Sequence, residues 1–206
     1  MKGKWSFFLL AVAVFFSQTA VGQTVSGFGI KGGVGLADQN FAYRDGFANE
    51  FKHRTGFDAG FYVQWLKKSS FNILTEFHYL QKGMKSEQIL TGQDGPEPLG
   101  SFLVENRVDY LSVPILAKVS LRETTLQPYL VVGPGFDFLL SYDSDFFKAV
   151  YEKFSAVDVT ANIGVGLQSG QLLFEARFSQ GIRNAYQTES LQVKNRTFTA
   201  LVGLTF

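Results

Sequence analysis

The sequence predicts an eight-stranded antiparallel transmembrane β-barrel. Three observations carry that expectation: side chains alternate apolar and polar with period two in eight segments, the connections between those segments alternate long and short, and the chain ends on an aromatic strand residue. The last of these is plain in NRTFTALVGLTF, residues 195–206, where Phe198, Ala200, Val202, Leu204 and Phe206 share one face. Thr197, Thr199, Leu201, Gly203 and Thr205 share the other. Composition agrees, because only 18% of residues are charged against about 25% in ordinary soluble domains.

The chain begins with Lys2 and Lys4, an apolar run from Trp5 to Phe16, and Ala20-Val21-Gly22. This is the pattern of a secretory signal peptide cleaved between Gly22 and Gln23, leaving residues 23–206 as one domain. The run is well short of the roughly 20 residues a membrane helix needs. With no cysteine there is neither a lipid-bearing Cys nor a disulfide framework. A net charge of +1 provides no basic field for nucleic acid. No later segment is apolar for long enough to cross a bilayer as a helix, so a membrane-spanning form must be a closed barrel.

The strands follow in order. Phe28, Ile30, Val34 and Leu36 oppose Gly29, Lys31, Gly33 and Gly35 in the first. Phe57, Ala59, Phe61, Val63 and Trp65 oppose Gly56, Asp58, Gly60 and Tyr62 in the second. The third sets Phe71, Ile73, Thr75, Phe77 and Tyr79 against Asn72, Leu74, Glu76, His78 and Leu80. The fourth sets Leu111, Val113, Ile115, Ala117 and Val119 against Tyr110, Ser112, Pro114, Leu116 and Lys118. In the fifth, Leu130, Val132, Phe136, Phe138 and Leu140 face away from Tyr129, Gly133, Gly135 and Asp137. The sixth has Val157 to Leu167 at odd positions against Asp158, Thr160, Asn162, Gly164 and Gly166. The seventh has Leu172, Phe174, Ala176 and Phe178 against Glu175, Arg177, Ser179 and Gly181, and the eighth is the terminal segment.

The connections, about residues 37–54, 67–70, 83–106, 121–126, 142–155, 169–171 and 184–195, run long and short in turn. Outer-membrane barrels have that arrangement, with short periplasmic turns, longer outer loops and an even strand count that puts both termini in the periplasm. Trp65 and Phe71, flanking a short turn, and Phe206 at the chain end are then expected in an interfacial aromatic belt. A soluble lipocalin-like barrel would turn the apolar face inward and leave the glycine-rich face in water, where glycine only weakens a strand. The inverted arrangement gives those glycines a use. Eight strands leave an interior that side chains just fill, so glycine makes room beside Tyr62, Tyr110 and Tyr129. Lys31, Asp58, Glu76, Lys118, Asp137, Asp158, Glu175 and Arg177 are expected inside as a polar network of mutual partners.

DYLSVPILAKV (109–119), QPYLVVGPGFDFLL (127–140), VDVTANIGVGLQ (157–168) and LLFEARFSQGIRN (172–184) together resemble the outer-membrane β-barrel domain family of Gram-negative bacteria that includes PorT. The Tyr-Leu-x-x-Pro and Pro-Tyr-x-x-x-Gly-Pro segments carry the resemblance to the barrel. A PorT-like resemblance implies a place in the envelope, and PorT itself is implicated in protein secretion. Shared fold does not transfer that role.

Other motifs are structural. GFGIKG (27–32) matches G-x-G-x-x-G but leads into no helix, so it reads as strand glycine. His53 and His78 lack ligand-spaced companions for a metal, and TGQDGPEPLG (91–100) lacks the acidic spacing of a calcium loop. Neither a metal nor a cofactor is expected. Asn195-Arg196-Thr197 fits a glycosylation triplet by pattern only. Three functions follow. The first is a non-enzymatic barrel, an envelope scaffold or a binder of an envelope or secretion protein through apolar outer loops such as that bearing Phe146, Phe147 and Tyr151. Its other expected partners are outer-membrane lipid and, through the terminal strand, the barrel-assembly machinery. The second is a lipid-modifying enzyme at the rim, with His53 or His78 as general base. The third is a narrow channel, disfavoured by the small bore of eight strands.

Overall fold

The computed structural model of the chain describes residues 25–43, 48–49, 52–66, 70–91, 98–121, 125–144, 155–185 and 191–206. Gly22 and Gln23 at the expected cleavage site, and Phe146, Phe147 and Tyr151, lie outside the described residues. Eight strands form the barrel: β1 (Val25–Tyr43), β2 (Lys52–Trp65), β3 (Phe71–Thr91), β4 (Pro98–Ser120), β5 (Gln127–Ser144), β6 (Val157–Ser169), β7 (Leu172–Gly181) and β8 (Leu191–Thr205). A two-residue segment, Ala48–Asn49, folds back on the end of β1. Each strand pairs antiparallel with the next, and β8 closes on β1 in an unbroken register from Gly29↔Thr205 to Tyr43↔Leu191. Phe206 extends the closure: its N–H donates to the Phe28 carbonyl at 2.7 Å, and the two rings lie 5.8 Å apart. Closure removes every sheet edge, the condition for strands to cross a bilayer.

The chain is an eight-stranded antiparallel transmembrane β-barrel, with its burial inverted relative to a soluble one. Phe28, Ile30, Phe57, Phe61, Ile115, Val132, Ile163, Phe174, Phe198 and Val202 are among the large apolar side chains exposed on its outer surface, whereas Lys31, Glu76, Asp137, Glu175 and Arg177 are buried. Charges inside and phenylalanines outside cost free energy in water and lower it in hydrocarbon. Glycine lines the inner wall where aromatic rings need room. A Cβ at Gly166 would collide with the Tyr129 ring, and one at Gly29 would collide with that of Tyr62. No such glycine stands against Tyr110 among the described residues.

The strands run further than alternation indicates. The first connection begins after Tyr43 rather than Leu36, and β3 and β4 reach Thr91 and Pro98 where a long loop over 83–106 was expected. Likewise β5 extends to Ser144 and β8 starts at Leu191. The reason is that the two-faced pattern records the bilayer. Once a hairpin leaves hydrocarbon, neither face need be apolar and pairing continues without a period-two signature. At 21 and 23 residues, β3 and β4 are about twice the 9–11 residues a membrane crossing requires. At the other end the turns stay short, and the two-residue β6–β7 turn is made by Gly170, whose φ of 56° favours glycine.

Candidate functional site

Inward-facing positions near the short turns build an apolar floor. Tyr62, Leu74, Leu116, Tyr129, Val131 and Leu173 form one buried cluster there. This floor uses Leu74 and Leu116 of the inward rows, beneath the polar side chains that occupy the rest of the lumen. Lys118 sits beside this floor, where its Nζ donates to Gln168 Oε1 at 2.6 Å and lies 4.5 Å from the centre of the Tyr129 ring. Among the described residues Lys118 makes no ion pair, contrary to the expectation that the interior charges serve as one another's partners. An amide oxygen and an aromatic face take the place of a carboxylate.

Beyond the floor the barrel is crossed by a four-membered ion cluster. Lys31 Nζ lies 2.6 Å from Glu76 Oε1 and 2.7 Å from Glu175 Oε2. Arg177 Nε donates to Glu175 Oε1 at 2.8 Å, and its Nη2 contacts the same oxygen. Its Nη1 stands 2.7 Å from Glu76 Oε2, an ion-pair distance off the line of a hydrogen bond. Tyr129 adds a hydroxyl donated to Glu175 at 3.1 Å. Two cations and two carboxylates thus cancel within one storey, as burial of charge requires. Asp58 joins through His78, whose Nδ1 lies 2.5 Å from Asp58 Oδ1 and whose Nε2 lies 3.3 Å from Glu76 Oε2. Asp58 thus holds Nδ1 by a hydrogen bond, whereas Glu76 faces Nε2 at an ion-pair distance without one. His78 is therefore an interior member of the network and not a rim residue.

The next storey, toward the long connections, is built on Lys82, whose Nζ donates to Asp137 Oδ2 at 2.5 Å. Asp137 stands directly opposite Asp158 on the neighbouring strand. Asp158 accepts from Asn195 Nδ2 at 2.9 Å, Gln39 Nε2 donates to Asn195 Oδ1 at 2.9 Å, and Asn106 Nδ2 donates to Gln39 Oε1 at 3.2 Å. An amide relay holds Asp158 where an ion pair was expected. Lys82, Gln39, Asn106 and Arg54 are buried members that the sequence reading did not single out. The signal for Lys82 was present, since it continues the inward parity of Asn72, Leu74, Glu76, His78 and Leu80. Gln39, Asn106 and Arg54 lie in stretches read as loop.

Of the expected interfacial aromatics, Phe71 and Phe206 are exposed on the outer surface, and Trp65 Nε1 donates to Thr75 Oγ1 at 3.0 Å. All three lie at the short-turn end. His53 stands on the outer surface toward the other end, with Nδ1 3.2 Å from Asp38 Oδ2. Among the described residues no group of three or more His, Cys, Asp and Glu is arranged to hold a metal ion.

Comparison with solved structures finds matches at low identity. The chain is similar to the attachment invasion locus protein Ail of Yersinia pestis, solved with the heparin analogue sucrose octasulfate. Identity there is 16%, covering 87% of this chain and 99% of that one at a TM-score of 0.42. It is similar to OprG of Pseudomonas aeruginosa at 12% identity, over 90% and 98% of the two chains with a TM-score of 0.47. Similarity to the outer membrane enzyme PagL is 11%, over 82% and 98% with a TM-score of 0.47. No curated protein matches the chain. A sequence model described as the outer membrane protein beta-barrel domain matches residues 16–187, most of the chain. The protein belongs to the outer-membrane β-barrel domain family.

Proposed function

We propose that the protein is a non-enzymatic outer-membrane barrel, an envelope scaffold that binds a protein partner through its outer connections. The filled interior carries this reading: an apolar floor and two storeys of mutually bonded polar side chains leave the outer surfaces for function. Both termini lie in the periplasm, the signal peptide is removed between Gly22 and Gln23, and the terminal strand ending at Phe206 engages the assembly machinery. The resemblance to PorT favours a secretion component as the partner. The aromatic loop side chains Phe146, Phe147 and Tyr151 are the anchors, since buried aromatics carry much of the energy of protein contacts. Changing all three to Ser reduces crosslinked envelope partners in intact cells while the barrel still folds. Unchanged crosslinks would remove the loop from the account.

The absence of cysteine allows orientation to be tested without background. A membrane-impermeant maleimide added to intact cells labels Ser101→Cys at the long-connection end and spares Gln171→Cys in a short turn. The opposite pattern overturns the orientation. A rim enzyme is the second reading, favoured by the His53–Asp38 contact. Among the described residues no serine hydroxyl is hydrogen-bonded to His53 as a nucleophile would be. His53→Gln leaves envelope lipid composition unchanged if the binding reading holds.

A further inference from the structure

Basic residues toward the long-connection end include two contrasting groups. On β2, β3 and β4 each of four has a carboxylate: His53 with Asp38 at 3.2 Å, Arg54 with Glu105 at 2.7 Å, Lys85 with Glu105 at 3.7 Å and Arg107 with Asp109 at 2.9 Å. Arg183, just after β7, and Lys194 and Arg196 on β8 are all exposed, and among the described residues none makes an ion pair. Asp38 faces Arg196 across the β1–β8 ladder, yet its Oδ2 is turned to His53. The other flanking strand places the uncharged Gln180 opposite Arg196.

The height of these side chains defines their surroundings. Lys194 and Arg196 continue the outward row of Phe198, Ala200, Val202, Leu204 and Phe206. Arg196 is ten residues beyond Phe206 and Lys194 twelve. At about 3.4 Å per residue and a tilt near 40° they stand roughly 26 and 31 Å above the terminal ring, just past an apolar band about 25 Å tall. Directly beneath Arg196 are the exposed side chains of Phe178 and Phe198, paired across the β7–β8 ladder. Unmatched cations above an apolar surface complement an amphiphile whose chains lie on the phenylalanines and whose anionic groups sit at the height of the guanidinium. Arginine is suited to phosphate because it offers paired donors in one plane.

We propose that the outer face of the β7–β8 hairpin, through Lys194 and Arg196, binds the phosphate groups of a phosphorylated lipid in the outer leaflet. This rests on the orientation proposed above, which the maleimide labelling tests by itself, whereas binding in nanodiscs reads the site whichever leaflet it faces. The full-length protein is folded in phosphatidylcholine nanodiscs containing bisphosphorylated lipid A, and retained lipid is measured by native mass spectrometry. The wild type retains it in preference to lipid A stripped of phosphates. Lys194→Gln with Arg196→Gln weakens retention by at least about tenfold, given about a kilocalorie per basic residue at an anionic surface. Arg107→Gln, which removes a matched cation, leaves it unchanged. Heat-modifiable mobility verifies folding of each variant. If the stripped lipid is retained equally, or the double variant retains as much as wild type, the proposal fails. Displacement by inorganic phosphate or a soluble sulfated sugar at the lipid's own concentration would also overturn it, as evidence of a soluble polyanion site.

Discussion

At Lys31 one ammonium meets two carboxylates contributed by strands far apart in the chain, Glu76 on β3 and Glu175 on β7. Removing one member of such a cluster costs more than the pair is worth, because it strands a charge in a medium that cannot solvate it. Glu76→Gln is therefore expected to destabilise the folded barrel by about 3–5 kcal/mol, read by urea unfolding in detergent micelles. A loss below about 1 kcal/mol, the surface-pair range, would mean that water reaches the cluster. His78 follows the same logic: His78→Gln, unlike His53→Gln, leaves Asp58 without its buried hydrogen-bond partner and lowers stability. At Gly166 the constraint is volume. Gly166→Val forces a side chain into the Tyr129 ring, an overpacking cost of about 1–3 kcal/mol, and Tyr129→Ala in the same chain recovers part of it. Parity was enough to place Lys31, Asp58, Glu76, Asp137, Glu175 and Arg177 on the inner wall. Which of them touch was not legible. Lys31 and Glu175 are 144 positions apart, and their meeting depends on ring closure and strand tilt rather than on any local spacing.

For single strands, the outward row sets a depth-dependent cost. β6 carries Ile163 near its middle and Leu167 near its short-turn end, both exposed on the outer surface. Ile163→Arg should cost about 2–4 kcal/mol and Leu167→Arg about 0–1 kcal/mol, measured by unfolding in lipid vesicles. Equal costs at the two depths would contradict the placement of β6 across the bilayer. The same dependence explains which strand ends could be read in advance. Short-turn ends were legible because apolar alternation persists to the interface and is followed at once by turn residues, as at Gly170. The opposite ends were not. In residues 82–90, KGMKSEQIL, charges fall on both parities although the ladder to β4 continues, so pairing there leaves no mark on hydropathy.

Across the whole molecule, closure of β8 on β1 makes a wall with an apolar outside, while the Leu74, Leu116 and Leu173 floor and the Lys31 and Lys82 storeys occupy its inside. A barrel filled in this way should conduct no ions. Planar-bilayer recordings of the purified protein are expected to lack the discrete openings of a porin, and regular unit conductances would show that the storeys part. The central claim is the inversion itself, side chains alternating between lipid and a filled interior along every strand. It is tested most directly on the neighbours Leu201 and Val202, buried and exposed in turn. Each is changed to Cys in this cysteine-free chain, labelled with a small bimane and reconstituted in vesicles of brominated lipid. Strong quenching at position 202 with little at 201 is the predicted result. Equal quenching at both, or quenching at 201 alone, would contradict it.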